Sequence, residues 1–210
     1  MNNSCRTATA LALTWVFTAS SQNADDPPVP YEDVGGCPFE GCTYRTWQAN
    51  AAIEIHLEPR NSSPIVATVA KLERVRALTG EVVTIKPGRV QFDKPQRLDT
   101  ASGPINILPG QTLFLLTYQG EGFTKAWFNR RLYNSVDVSG ITWANGRCGF
   151  SDPERCAGHE VEKYETEWWV QVRTASGQVG WTRETEKFDG KDAFGCGIPA
   201  DNCRKVEPMQ

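Results

Sequence analysis

The cysteines are the residues whose type and spacing point most directly to chemistry. The chain has seven of them. Six form three neighbouring pairs: Cys37 with Cys42, Cys148 with Cys156, and Cys196 with Cys203. Thiols at such spacings can form disulfides, bind zinc or supply a nucleophile. The redox state of the cellular compartment decides among these outcomes.

The first 21 residues indicate that compartment. Arg6 is followed by a mostly apolar run from Ala8 to Ala19 and then by two serines, a pattern typical of a secretory signal peptide. The run is too short to span a bilayer, which requires about 20 apolar residues, and no later stretch approaches that length. We therefore expect residues 1–21 to be removed on export to the periplasm or medium. Cleavage after Ala24 is the alternative.

The six cysteines that follow this segment are predicted to form three local disulfides. An even number of cysteines in an oxidising compartment favours disulfides, and each pair lies in a segment with turn-forming glycine or proline. Zinc is the alternative. The spacing of Cys37 and Cys42 suits zinc, but the other two pairs are wider than typical zinc ligand pairs. We accordingly expect no bound metal and no free thiolate.

Other catalytic patterns are missing from the sequence. His56 and His159 are the only histidines, and His159-Glu160 lacks the second histidine of a zinc-protease helix. No phosphate-binding glycine loop, nucleophile elbow or dinucleotide fingerprint is present. The sequence therefore predicts no enzyme and no cofactor. A small secreted hydrolase using a carboxylate pair stays open as the alternative, because such sites need no linear motif.

Aromatic residues are the candidates for ligand binding. Strand alternation puts Val170 and Val172 on one face and Trp169 and Gln171 on the other. If the valines are core residues, Trp169 and Gln171 face outward, where a flat ring can stack on a sugar or a peptide side chain. The alternative is that Trp169 packs under the segment 129–164. Core packing is expected for three further tryptophans: Trp127, Trp168 and Trp181.

Short apolar runs separated by turn residues predict an all-β fold. Ile53, Ile55 and Leu57 alternate with polar residues at the period of a half-buried strand. The clearest hairpin follows residue 168 and turns at Gly177, where a positive φ is often required. No stretch has a convincing helical period. Evenly spaced strands of this length are typical of small barrels or sandwiches.

Charge and composition complete the expected organisation. The formal net charge is −3 and the sequence pI is about 5.5, so no global field would hold nucleic acid.

Proline and glycine predict a linker over residues 22–50, which contains the Cys37/Cys42 loop. The remaining expected segments are a β unit at 51–92, a loop at 93–109, a β unit at 110–183 with an insertion at 129–164, and a tail at 184–210 with the Cys196/Cys203 loop.

The last hairpin resembles the bacterial SH3-like domain family. Trp169-Val170-Gln171-Val172, a turn ending in Gly177 and then Gly180-Trp181 are similar to the closing signature of that family. Leu108-Pro109-Gly110 resembles its opening turn, and residues 51–92 resemble its first three strands without the Gly-Trp ending. The resemblance implies one or two small SH3-like barrels with a disulfide-pinned insertion.

Family resemblance also implies a role. Such domains commonly serve as non-catalytic targeting modules, so we expect a binding or scaffolding module of the bacterial cell envelope. The partner would be a cell-wall glycan or peptide, or an envelope protein. No nucleic acid and no membrane span are expected.

Overall fold

The computed structural model of the protein describes residues 25–149 and 153–194. The predicted signal peptide and the Cys196/Cys203 pair lie outside these residues. Within them the regular secondary structure is almost entirely β-strand and two disulfides are present, which confirms the prediction of an all-β, disulfide-bonded fold. No helix in the described part is long and apolar enough to cross a membrane.

The described residues form sixteen strands and two short 3-10 turns. The first eight strands are β1 (Tyr31–Val34), β2 (Thr46–Ala49), β3 (Ile53–His56), β4 (Ile65–Val69), β5 (Arg74–Lys86), β6 (Gly88–Phe92), β7 (Gln96–Leu98) and β8 (Ile105–Ile107). The others are β9 (Thr112–Gly120), β10 (Phe123–Phe128), β11 (Arg131–Asp137), β12 (Ile141–Thr142), β13 (Gly158–Glu162), β14 (Glu165–Arg173), β15 (Val179–Thr182) and β16 (Phe188–Asp189). The 3-10 turns are Pro153–Arg155 and Thr185–Lys187.

The first sheet is built around the long strand β5. Its strand order is β16-β2-β5-β14-β15-β3-β4, and β1 pairs with the second half of β5, beyond the part that pairs with β2. The sheet curls around one apolar core. The large members of this core are Trp47, Ile53, Ile55, Val69, Val75, Val170, Val172 and Phe188.

Alternation explains which residues enter this core. Ile53 and Ile55 are buried while Glu54 faces solvent and His56 is half-buried, as the sequence pattern predicts. The same holds for Val170 and Val172, both fully buried in the first core. The predicted outward direction of Trp169 and Gln171 follows, because successive side chains alternate across the sheet.

The second sheet has the order β11-β10-β9-β6-β13-β12 and curls around a separate core. Its large core residues are Val90, Phe92, Leu98, Ile107, Leu113, Leu115, Phe128, Val136 and Ile141. The turn from β9 to β10 places Gly120, Glu121 and Gly122 at positive φ, which explains the two glycines.

Strand pairing differs from the organisation expected from the sequence. The hairpin β14–β15 pairs with β5 and β3 of the first sheet, and not with β9 or β10. The segment 129–164, expected as an insertion, supplies β11, β12 and β13 to the second sheet. The stretch 22–50, expected as a linker, contributes β1 and β2. Each sheet thus combines segments that are distant in sequence.

Polar contacts join the two sheets. Only Pro87 separates β5 from β6, so the chain passes directly from one sheet to the other. Thr84 Oγ1 donates a hydrogen bond to the Leu116 carbonyl at 3.0 Å. Lys125 Nζ on β10 lies 2.5 Å from Asp33 Oδ1 on β1, and both side chains are largely buried. This ion pair links β1 to the second sheet. Breaking it would be costly, because removing one partner would leave an unpaired buried charge.

Candidate functional site

Two of the three predicted disulfides lie in the described residues, and both are confirmed. Cys37 is bonded to Cys42 and Cys148 to Cys156, with Cα–Cα distances of 5.9 and 6.3 Å. The third pair, Cys196 and Cys203, is outside the described residues. The described residues contain no group of three or more histidine, cysteine or acidic side chains that could hold a metal ion.

The Cys37–Cys42 loop closes one end of the first core. Phe39 inside the loop packs edge-on against Trp168 with ring centroids 5.6 Å apart. Just after the loop, the Tyr44 hydroxyl donates to the Gly36 carbonyl at 2.5 Å. Trp168 in turn packs against Trp47 at 5.9 Å. This disulfide therefore holds an aromatic cluster in place.

A cleft of about 640 Å³ opens at the end of the second core, and we call it the aromatic cleft. Its apolar wall includes the buried core residues Leu115 and Val138. Its aromatic lining consists of Tyr118, Trp143 and Tyr164, all of which keep some exposure. Polar groups complete the lining: Thr124, Asn145, Glu160 and Lys163.

Separate elements position the three rings. Tyr118 lies near the end of β9, and Tyr164 lies in the short connection between β13 and β14. Trp143 follows β12 directly and begins a tight turn in which its carbonyl accepts from Gly146 N–H and its own N–H donates to Arg147 O. The end of that turn is held in two ways. Cys148 forms an antiparallel β-bridge with Thr142, and its sulfur forms the disulfide with Cys156.

Hydrogen bonding and charge also order the aromatic cleft. Glu160 Oε2 accepts a hydrogen bond from the backbone N–H of Ala144 at 3.0 Å, which ties the Trp143 turn to β13. Burial raises the pKa of the Tyr164 hydroxyl, and the nearby Glu160 charge raises it further. The phenol thus keeps its proton at neutral pH and can donate a hydrogen bond to a ligand.

A second cleft, of about 650 Å³, lies on the outer face of the first sheet, and we call it the acidic cleft. It is lined by Glu32 of β1, Glu81 and Val83 of β5, Glu167 and Trp169 of β14, and the loop residues Glu58, Pro59, Arg60 and Asn61. Four carboxylates therefore face one cavity. Glu167 is paired with Arg183 at 2.6 Å, and Glu58 is paired with Arg60.

Trp169 lines this acidic cleft but is not an open platform. Its side chain is on the face opposite Val170 and Val172, as predicted, yet the residue is only 2% exposed. Its ring packs edge-to-face with His56 at 5.9 Å, and the loop after β3 contributes Glu58, Pro59, Arg60 and Asn61 to the same cavity. The predicted exposure of Trp169 is therefore wrong, and the segment 129–164 is not the cover that the alternative proposed.

Gln171 and the three other tryptophans considered in the sequence differ in burial and in the sheet they belong to. Gln171 is half-buried and pairs across the hairpin with Trp181, which is also half-buried on that outer face. Trp181 is therefore not the core residue that the sequence predicted. Trp168 does pack against the first core. Trp127 is partly buried, and its indole N–H donates to the Asp25 carbonyl at 3.0 Å.

The two histidines have local partners. His56 Nδ1 lies 2.9 Å from the Ser63 carbonyl, which fixes the ring against the loop of the acidic cleft. His159 Nδ1 lies 2.8 Å from Asp93 Oδ2 at a partly exposed position. Neither histidine lines the aromatic cleft or the acidic cleft.

Sequence reasoning missed the aromatic cleft. Tyr118, Trp143 and Tyr164 are distant from one another in the chain, and two of them fall in the segment expected as an irregular insertion. The available signal was local: Trp143 stands in a turn rich in Asn and Gly just before a cysteine. An aromatic residue in a disulfide-fastened turn is a reasonable candidate for a held, partly exposed ring.

The described residues thus form an all-β, disulfide-bonded fold with an open cleft beside each of its two large sheets. No protein-family model matches the chain, and no curated protein and no solved structure matches it at a significant level.

Proposed function

We propose that this protein is a non-catalytic binding module of the bacterial cell envelope and that the aromatic cleft takes a cell-wall glycan. The observation that carries the proposal is the lining of that cleft. Three partly exposed rings surround an apolar wall, and four polar side chains stand beside them. Apolar pockets with a few convergent polar groups are the common form of small-ligand sites.

The chemistry of the cleft suits a sugar. A sugar ring offers apolar C–H faces and a periphery of hydroxyls. Tyr118, Trp143 and Tyr164 supply rigid apolar surface with little loss of side-chain entropy on binding. Glu160 and Asn145 can accept hydrogen bonds from hydroxyls, and Lys163 can donate to them. Nucleic acid is a poorer ligand, because the chain is mildly acidic.

Location supports an envelope role. Disulfides persist in oxidising compartments, so the two that are present fit a non-cytoplasmic protein. The signal-peptide pattern of residues 1–21 and the resemblance of the Trp169–Trp181 hairpin to bacterial SH3-like domains both favour the periplasm or the outside of the cell. We propose that location for the mature chain.

Binding to purified peptidoglycan tests the proposal. The oxidised protein should sediment with peptidoglycan, and soluble glycan fragments should compete and change tryptophan fluorescence. Trp143→Ala should weaken this binding by about tenfold or more, as expected for a central aromatic contact. The matched control is Trp181→Ala, a half-buried tryptophan of the other sheet that lines neither cleft. Absence of binding, or equal loss in both variants, would refute a glycan site in the aromatic cleft.

A hydrolase that uses a carboxylate pair is the second candidate. The observation that favours it is the acidic cleft, where burial and then the charge of Glu32 raise the pKa of Glu81. A carboxyl group with a raised pKa suits the general acid of glycoside hydrolysis, which works with a second carboxylate. Turnover of a glycan or peptide substrate that is abolished by Glu81→Gln would place this candidate first.

A further inference from the structure

The acidic cleft contains charges that the fold itself does not neutralise. Glu58 and Glu167 each have an arginine partner. Glu32 and Glu81 make no ion pair and no side-chain hydrogen bond with any other described residue. Two carboxylates on one wall of the same cavity are thus left without a cation.

Strand register brings these two carboxylates together. Glu32 of β1 is opposite Val83 of β5, and Val34 of β1 is opposite Glu81. Glu32 and Glu81 are therefore diagonal neighbours on one face of the sheet, close enough for side chains to interact. Burial raises the pKa of the Glu81 carboxyl, and the negative charge of Glu32 raises it further. A cation bound between the two side chains would remove this repulsion.

Trp169 supplies a hydrogen-bond donor to the same cleft, independently of the carboxylates. It is directly opposite Glu81 in the register of β5 and β14 and is 98% buried. Its indole N–H has no hydrogen-bond partner among the described residues. Among the described side chains, the N or O atom that lacks a hydrogen-bond partner and is also sealed from solvent is Thr117 Oγ1, and not the Trp169 nitrogen. The small accessible part of Trp169 therefore includes its N–H.

The contrast with the two indoles packed in or against the first core makes this donor informative. Trp47 donates to the Thr43 carbonyl at 3.0 Å, and Trp168 donates to the Tyr44 hydroxyl at 3.3 Å. Buried polar groups in proteins are nearly always hydrogen-bonded. A donor that is left open on the wall of a cleft is suited to an acceptor that enters from outside. The hydrolase candidate for the same cleft needs only its two carboxyl groups, so it gives this indole donor no role.

We propose that the acidic cleft binds a lysine or arginine side chain of a peptide. The cationic group pairs with Glu32 and Glu81, and a carbonyl of the same peptide accepts from the Trp169 indole N–H. Exposed aliphatic side chains on the same face favour a peptide over a small free amine. Val34 is 75% exposed and Ile85 49% exposed, so both can cover the methylene groups of a long cationic side chain. This site is separate from the glycan site proposed above.

Nuclear magnetic resonance titration with capped tripeptides tests the proposal on the full oxidised protein. The probe is acetyl-Gly-Lys-Gly-amide, the arginine analogue is a second probe, and the norleucine analogue is the uncharged control. The lysine and arginine peptides should produce saturable shifts of the Trp169 indole N–H signal, which is assigned by its loss in Trp169→Phe. The norleucine peptide should produce none. Equal shifts from the norleucine peptide would overturn the proposal.

Variants connect the binding to the named carboxylates. Glu32→Gln with Glu81→Gln should weaken the lysine peptide by about tenfold or more, as expected for loss of a charge-assisted contact. Glu40→Gln, an exposed glutamate outside the acidic cleft, is the matched control and should leave affinity unchanged. Unchanged affinity in the double variant would refute the site. Because Trp143→Ala should keep full peptide binding, failure of the glycan proposal and failure of this one can be told apart.

Discussion

The two clefts use tryptophan in opposite ways. In the aromatic cleft, Trp143 stands in a turn at the open end of the second core and keeps part of its ring accessible. In the acidic cleft, Trp169 stands in the middle of a strand on the outer face of the first sheet, yet it is almost fully covered. Position on the outer face of a sheet therefore does not by itself give exposure, because loops can cover that face.

The difference extends to what each cleft offers a ligand. The wall of the aromatic cleft continues the apolar core, so its favourable term is burial of apolar surface. The acidic cleft places two unpartnered carboxylates beside an indole donor, so its favourable terms are charge and hydrogen bonding. The described residues thus present two clefts of different chemistry, one at the end of the second core and one on the outer face of the first sheet.

The largest expected effect separates the two tryptophans by stability. Trp169→Ala should lower the free energy of unfolding by roughly 3–5 kcal/mol, the usual cost of deleting a buried large aromatic. Trp143→Ala should lower it by only about 1–2 kcal/mol, because a partly exposed ring loses less buried area. Urea denaturation of both variants measures the difference. Equal losses, or a larger loss for Trp143→Ala, would contradict the assigned burial of the two rings.

A smaller effect is expected from the disulfide that fastens the aromatic cleft. Replacing Cys148 and Cys156 by serine should lower stability by about 2–3 kcal/mol, as estimated for so short a loop. The Trp143 turn should lose its fixed position, so glycan binding should weaken while binding of the lysine peptide to the acidic cleft is retained.

The other disulfide provides the matched control. Cys37→Ser with Cys42→Ser removes a loop of similar length, and these residues line neither proposed site. Calorimetry and the two titrations on both double variants make the comparison. Selective loss of lysine-peptide binding in the Cys148 and Cys156 variant would show that the disulfide does not act on the aromatic cleft.

The features that could be predicted from the sequence depend on local patterns: strand alternation, cysteine spacing and turn residues. Alternation grouped Ile53 with Ile55 and Val170 with Val172, because side chains on a strand alternate between its two faces, and both pairs lie in the first core. Leu57, expected on the face of Ile53 and Ile55, is exposed because β3 ends at His56. Close cysteine spacing sufficed for the two disulfides in the described residues. The hairpin turn at Gly177, with φ of 89°, was also evident from residue type.

The missed features depend on pairing between distant segments. Nothing near residue 170 specifies that β14 pairs with β5, about ninety residues earlier. The same pairing places Glu81 beside Trp169, and the pairing of β1 with β5 places Glu32 near Glu81. Neither the acidic cleft nor the covering of Trp169 could therefore be read from local periodicity, although the outward direction of Trp169 could.

The smallest expected effect concerns the charge of Glu81 in the acidic cleft. Its pKa is raised above the ordinary value of 4.5 by burial and then by Glu32. A carboxyl group with a raised pKa binds its proton more tightly in the folded state, so its ionised form lowers stability at neutral pH. This cost disappears as the pH falls through the raised pKa and below 4.5. Glu81→Gln should therefore be more stable than the parent protein at pH 7.

The gain should be a few tenths of a kcal/mol, since the side chain is partly solvated and its charge interactions are screened. Thermal unfolding of both proteins should be measured between pH 3 and pH 7 in steps of about one pH unit. The stability advantage of Glu81→Gln over the parent protein should shrink as the pH falls. The advantage should also shrink in a Glu32→Gln background, because one source of the raised pKa is then removed. A difference that stays constant with pH would show that burial and Glu32 do not disfavour the ionised form of Glu81, and the electrostatic case for a bound cation would lose its support.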